Sequence, residues 1–249
     1  MKNTGVIIQA RLGSTRLPKK MTKPFYEGKN ILEILLAKLS SELNTKIILA
    51  TTTNPIDDRI EEIGQEFGIN IYRGSEIDVL ERFIGAAEYY NISNIVRVCA
   101  DNPFIQPKYI QNIINEINDN DFDYLSYTLT ENLPVIKSHI GLFSEGTTLS
   151  TLKRINTLTN DCFYHEHVTN YIYENPSVFN IKLIDVPDFI KGRSDLRFTL
   201  DTQEDYELLQ NLYAFYANSD DNIESLILHI DSHPEILSKM KKNINKNIK

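Results

Sequence analysis

Four short apolar runs in the first 118 residues, "GVIIQA", "KIILATT", "INIYRG" and "NIVRVCADNP", are each followed by an amphipathic stretch. That alternation admits few folds. Ile31 to Leu43 places Ile31, Leu35, Leu36, Leu39 and Leu43 on one helical face. Asp57–Phe67 and Asp78–Tyr90 read as helices in the same way, and Pro107 opens another through Ile117. Four β-α pairs in succession predict a mainly parallel sheet with helices on both faces.

The second half is mixed. "DFDYLSYT", "SHIGLFS", "SVFNIKLIDV" and "DLRFTLDT" read as strands, and helices are expected over Thr147–Asn156, Cys162–Glu174 and Gln203–Ala217. The expected architecture is α/β: one domain over residues 1–238, with antiparallel edge strands and a small inserted flap. The run from Lys239, "KMKKNINKNIK", is polar and basic, and it is expected to fray. The chain's 249 residues, 41% hydrophobic, suffice for one sizeable core.

Net charge is -8, so no basic excess exists to neutralise a nucleic-acid backbone. No apolar run reaches the ~20 residues of a membrane span, and no secretory leader is expected ahead of the first strand. Two cysteines, Cys99 and Cys162, stand in no metal-like spacing. They read as reduced thiols of a cytoplasmic protein, with Cys99 in core packing.

Within this acidic chain, "RLGSTRLPKK" concentrates Arg11, Arg16, Lys19 and Lys20 directly after the first buried strand. A local basic cluster suits a small anionic ligand. Gly13 permits positive φ and close backbone approach. The N–H groups of Gly13, Ser14 and Thr15 suit an anion nest, and Arg11, Arg16 and Lys20 offer charge-assisted hydrogen bonds. The competing reading is a solvated basic turn. The loop matches neither the P-loop pattern nor G-x-G-x-x-G. In parallel α/β sheets ligands sit at the carboxyl ends of strands. This loop, Thr51 with Thr52, and Ala100 to Pro103 all lie at such ends.

"IIQARLGSTRLPKK" resembles the opening of the cytidylyltransferases that activate sugar acids, the acylneuraminate and 3-deoxy-manno-octulosonate enzymes, and most nearly the spore coat polysaccharide biosynthesis protein F type. "RGSEIDVLERF", "VRVCADNPFIQP", "YHEHVTNYIYENP" and "RFTLDTQEDYELL" continue the resemblance in the family's order over most of the chain. The fold it implies is a single nucleotide-binding domain of the nucleotide-diphospho-sugar transferase kind. The activity it implies is transfer of CMP from CTP to a sugar acid for surface polysaccharide, by a homodimer.

Carried over residue by residue, Ala10 and Arg11 lie beside the nucleotide, and Ser14, Arg16 and Lys20 hold phosphates. The family usually has Gly where this chain has Lys19. Thr51 and Thr52 stand between two roles, ribose or base contact and strand cap. Arg73 is expected at the base, or else in a surface ion pair. Asp101 and Asp201 are the implied Mg²⁺ ligands; in isolation they read as a turn former and a helix cap. Glu166 and His167 are expected to line the acceptor pocket or a dimer contact. His165 and His167, two apart on a helix, face apart and so make no zinc pair. Arg193 and Arg197 are expected to meet an acceptor carboxylate, with an exposed basic loop as the other reading of Arg193. The nearest relatives usually carry an acidic residue two before Phe143; here Gly141 stands there, and His139 is a partial substitute. Rival readings are another nucleotide or a phosphorylated acceptor, a glycosyltransferase, and a non-catalytic binding module.

Overall fold

The computed structural model describes residues 3–130 and 132–247. The first half alternates as predicted: β1 (Thr4–Gln9), a small hairpin of β2 (Pro24–Tyr26) and β3 (Lys29–Asn30), α1 (Ile31–Glu42), β4 (Lys46–Thr52), α2 (Asp58–Glu66), β5 (Asn70–Gly74), α3 (Val79–Tyr89), β6 (Asn94–Cys99) and α4 (Pro107–Asp119). The second half adds β7 (Tyr124–Thr130), β8 (Leu133–Pro134), β9 (Glu145–Thr148), α5 (Leu149–Leu158), α6 (Cys162–His167), α7 (Asn170–Glu174), β10 (Ile181–Asp185), α8 (Gln203–Ala217), α9 (Ile223–Asp231) and α10 (Pro234–Lys246).

The main sheet runs β10-β7-β9-β6-β1-β4-β5, with β8 beside β7. β1 is central and pairs in parallel with β4 and β6, so Ile7 faces Ile48 on one side and Arg97 on the other. Its side chains pack into both faces. Val6 and Ile8 join the core under α1 and α4, and Ile7 joins the one under α3 and α5. Each fully buried Leu or Ile there stabilises by about 1.5–3 kcal/mol. Helix α1 starts sharply because Asn30 and Glu33 form a reciprocal cap.

The sheet is mainly parallel, but its longer antiparallel strand, β9, lies inside rather than at the margin, and the two-residue β8 pairs antiparallel with β7. β9 runs antiparallel to both β6 and β7. Gly146 makes room for α4: a Cβ there would meet Ile113 at 2.9 Å.

Three second-half expectations are corrected. "SHIGLFS" and "DLRFTLDT" join no ladder. They bond to each other and to the turn after β6: Phe198 N–H to the His139 carbonyl, Leu200 N–H to that of Asp101. Cys162–Glu174 is two helices, broken at Val168, where φ is +53° and ψ -57°. The Thr169 N–H bonds back to the His167 carbonyl across this γ-turn. The expected frayed tail is largely helix α10. Met240 and Asn243 are buried beneath it, an apolar anchor and a hydrogen-bonded amide that a composition argument passes over. Residues 248 and 249 lie outside the described residues. Among those described, no helix is long and apolar enough to cross a membrane.

Candidate active site

Leu12, Leu17 and Met21 are buried and pin the first loop to the core. Its backbone folds on itself through Ser14 N–H and Lys19 N–H, both donating to the Leu12 carbonyl. Buried Asp57 fixes its root: one oxygen accepts the Leu12 N–H at 2.6 Å, and the other accepts the Thr52 hydroxyl. Thr52 therefore supports the loop from behind. Thr51 is equally inaccessible, so neither threonine reaches a ribose or base here. Gly13 does not use positive φ; Lys19 does, at +57°. The left-handed turn thus falls where the family resemblance leads one to expect glycine. Above Gly13 a Cβ would find only Glu76 Oε1, at 3.7 Å.

Lys20 projects between the two aspartates. Its ammonium donates to Asp101 Oδ2 at 2.8 Å and the Leu200 carbonyl at 2.7 Å, and lies 3.9 Å from Asp201 Oδ1. Asp201 also accepts from Arg16 and Arg197, each at 3.1 Å. It is not the helix cap; Thr202 and Asp205 form that cap reciprocally. Two carboxylates from distant elements thus converge on one cationic centre. Among the described residues no group of three or more His, Cys, Asp or Glu is arranged to hold a metal. A hard divalent ion here would complete its shell from phosphate oxygens and water, which fits Mg²⁺.

Two cavities meet at this pair. One, of about 420 Å³, is lined by Ala10, Arg11, Gly13, Ser14, Arg16, Lys20 and Arg82. The other, of about 560 Å³, runs under the 135–144 flap and is lined by Asn102, His139, Phe143, Ser144, Tyr173 and Thr199. Arg16, Arg97, Cys99, Asp101, His167 and Asp201 border both. Cys99 is thus wall, not core. Glu166 lines the loop-side cavity, 3.6 Å from Arg11, rather than the flap side. His165 turns away to Asp78 and the Thr159 carbonyl.

Several expected contacts are spent elsewhere. Arg73 bonds the Thr52 and Asn54 carbonyls, Asp58 and Glu61. Arg193 forks onto Asp231 and bonds Asp195. Arg197 is 1% exposed and grips Asp205 with two nitrogens, with a third on His139. Burial opposes its charge, but Asp205 outweighs this and raises its pKa. None of the three is presented to an acceptor. At Gly141, φ is +58° and a Cβ would meet Asn102 Oδ1 and the Phe198 backbone at 3.0 Å, so an acidic side chain has no room on this backbone.

Other site residues were passed over. Arg82 is 2% exposed, and its Nε has no hydrogen-bond partner. Burial first, then Arg11, lowers its pKa to about 10. Its signal was present: it shares the inward spacing of Val79, Phe83 and Ala86. Arg97, a charge in the middle of a buried strand, bonds Glu145 and Gln9. Tyr124 and Thr169 donate to the same Glu145, closing a buried network under both cavities. Burial disfavours the Arg97 charge, but Cys99 and Glu145 outweigh this and raise its pKa. Asn102 Oδ1, Ser144 Oγ and Thr199 Oγ1 are buried without partners in residues that line the flap-side cavity.

A family model described as cytidylyltransferase matches residues 5–232. An uncharacterised protein of Methanocaldococcus jannaschii is 37% identical over 98% of this chain and 94% of its own. The spore coat polysaccharide biosynthesis protein SpsF of Bacillus subtilis is 32% identical over 92% of this chain and 94% of its own. Among solved structures, a cytidylyltransferase from Leptospira borgpetersenii superposes with a TM-score of 0.81 at 30% identity, covering 95% of this chain and 97% of that one.

Proposed function

The chain belongs to the cytidylyltransferase family, and from that premise we propose that it transfers CMP from CTP to a sugar acid, releasing pyrophosphate, in the assembly of a surface polysaccharide. An oxygen of the acceptor attacks the α-phosphate and the bond to pyrophosphate breaks. The observation that carries this reading is the meeting of two cavities at Asp101 and Asp201, with Arg11 and Lys20 of the cationic loop bordering only one of them and Arg16 at the boundary of both. Nucleotide belongs on the loop side and acceptor under the flap, with the α-phosphate at the junction.

Each group then has a task. Arg11, Arg16 and Lys20 take the triphosphate oxygens, and Lys20 and Arg16 neutralise charge growing on the leaving pyrophosphate. Arg82, short of a partner at Nε, supplies a further charged donor to the nucleotide cavity. Asp101 and Asp201 would hold Mg²⁺, whose chemistry when bound is neutralisation of the phosphates and polarisation of the one attacked. Asn102, Ser144 and Thr199 leave the acceptor wall short of hydrogen-bond partners, which favours a hydroxyl-bearing acceptor. Most of the rate then comes from positioning and charge, not covalent chemistry by the protein.

The test is pyrophosphate release from each of the four nucleoside triphosphates against a panel of sugar acids and sugar phosphates. CTP with a sugar acid is expected to be the productive pairing, and Asp201→Asn is expected to lower turnover by about 10²–10³-fold. Turnover only with sugar phosphates, or full turnover by folded Asp201→Asn, overturns the reading.

A further inference from the structure

Helix α10 lies beyond residues 5–232, which the family model matches. It nevertheless reaches Asp201 by two routes. Asn243, 6% exposed, donates its amide to Asp205 Oδ1 at 3.0 Å. Asp205 holds Arg197 at 2.7 Å through both carboxylate oxygens, and Arg197 holds Asp201 Oδ2 at 3.1 Å. Asp205 also accepts the Asp201 and Thr202 N–H groups, so it fixes the backbone carrying Asp201 as well as its side chain. At the end of the helix, Asn247 accepts from Arg16 at 3.3 Å, and Arg16 holds the other oxygen of Asp201.

We propose that Asn243 is a positioning residue for Asp201, and that α10 is thereby a working part of the active site. The inference rests on the role given to Asp201 above. The physical argument is completeness. Asp205 accepts five hydrogen bonds, from Arg197 twice, Asn243, and the Asp201 and Thr202 amides. Without Asn243, Oδ1 keeps one of its two donors, and a buried carboxylate seeks the missing one by shifting. Arg197 is engaged on every side, so it follows. Asp201 then leaves the position in which it faces Asp101. Partners one step removed from a metal-holding carboxylate typically matter by 10–100-fold in metal affinity or activity.

The test uses the full chain with three variants. Asn243→Leu keeps the bulk and removes the donor. Met240→Ala, on the same helix and fully buried, removes packing without touching the network. Asp201→Asn sets the baseline for loss of the carboxylate. Asn243→Leu is expected to lower kcat on the order of tenfold or more, with KM for CTP within about threefold, because Asn243 bonds Asp205, while Arg11 and Lys20 keep their places on the triphosphate. Calorimetric titration of Mg²⁺ into its CTP complex is expected to show a similar loss of affinity. Met240→Ala is expected to lower Tm and leave kcat and Mg²⁺ affinity at wild-type values. Wild-type kcat in folded Asn243→Leu overturns the positioning role, as does a parallel loss in Met240→Ala, which would make the helix packing alone. Should Asn243→Leu not fold, Asn243→Ser, whose shorter side chain withdraws the donor, is read against the same controls. Full turnover in Asp201→Asn would instead sink the premise, so the two failures are distinct.

Discussion

Lys19 sits at φ +57° immediately before the ammonium that joins Asp101 and Asp201. A left-handed backbone costs an L-residue about 1–2 kcal/mol, and glycine removes that strain at some cost in chain entropy. Lys19→Gly is therefore expected to raise Tm slightly and leave CTP use intact, by thermal melts and steady-state kinetics; a lower Tm contradicts it. Arg82 trades in the opposite direction. Its charge is buried with Nε unpaired, so Arg82→Met is expected to match or exceed wild-type Tm while raising KM for CTP about tenfold, the loss of one charged hydrogen bond. Unchanged KM would remove Arg82 from the nucleotide cavity. At this scale the residue types were legible and their partners were not. Arg11, Arg16, Lys20 and Asp101 come together because each follows a strand of one sheet, and Asp201 joins them because the unladdered segment before it bonds to the His139 carbonyl and the Asp101 turn. Arg73, Arg193 and Arg197 look equally available in the sequence. Whether an arginine faces a ligand depends on which carboxylates fold beside it, and Glu61, Asp231 and Asp205 took these three.

Among elements, strands and helices with their own periodicity were readable, and segments held only by distant partners were not. "KIILATT" and Gln203–Ala217 appear with the expected boundaries. Residues 139–144 and 195–200 have strand-like apolar content, yet their hydrogen bonds run to each other and to the Asp101 turn, a pairing invisible to local pattern. The break at Val168 was hidden for a related reason. A β-branched residue in a γ-turn is strained, and it persists because Val168 is buried in the core under α3 and α5 while Thr169 is bonded to Glu145. Just before that break, α6 is tied to the start of α3 by His165, bonded to Asp78 at 2.6 Å. Burial works against the charged ring, but the Thr159 carbonyl and Asp78 outweigh it and raise its pKa. A raised imidazole pKa adds stability fully present below the ordinary value and lost as pH rises through the raised one. The gap in Tm between wild type and His165→Gln should therefore be widest on the acid side and narrow towards alkaline pH. A gap that is constant with pH argues against a charged pair.

For the whole molecule, the governing feature is that parts far apart in sequence supply one junction: the loop after β1, the turn after β6, the segment before α8, and α10. On the proposed reading, two cavities with a shared wall give nucleotide and acceptor separate approaches. The junction itself is neutralised from within, because Lys20 lies against both carboxylates. A side chain serving as tethered counter-ion has a thermodynamic consequence. The resting protein owes nothing to dissolved cations for holding two acids together, so exhaustive EDTA treatment should leave its melting curve where it was. On the proposed reading, ion demand would arise only on loading, when the incoming triphosphate draws the ammonium away from Asp101 and Asp201.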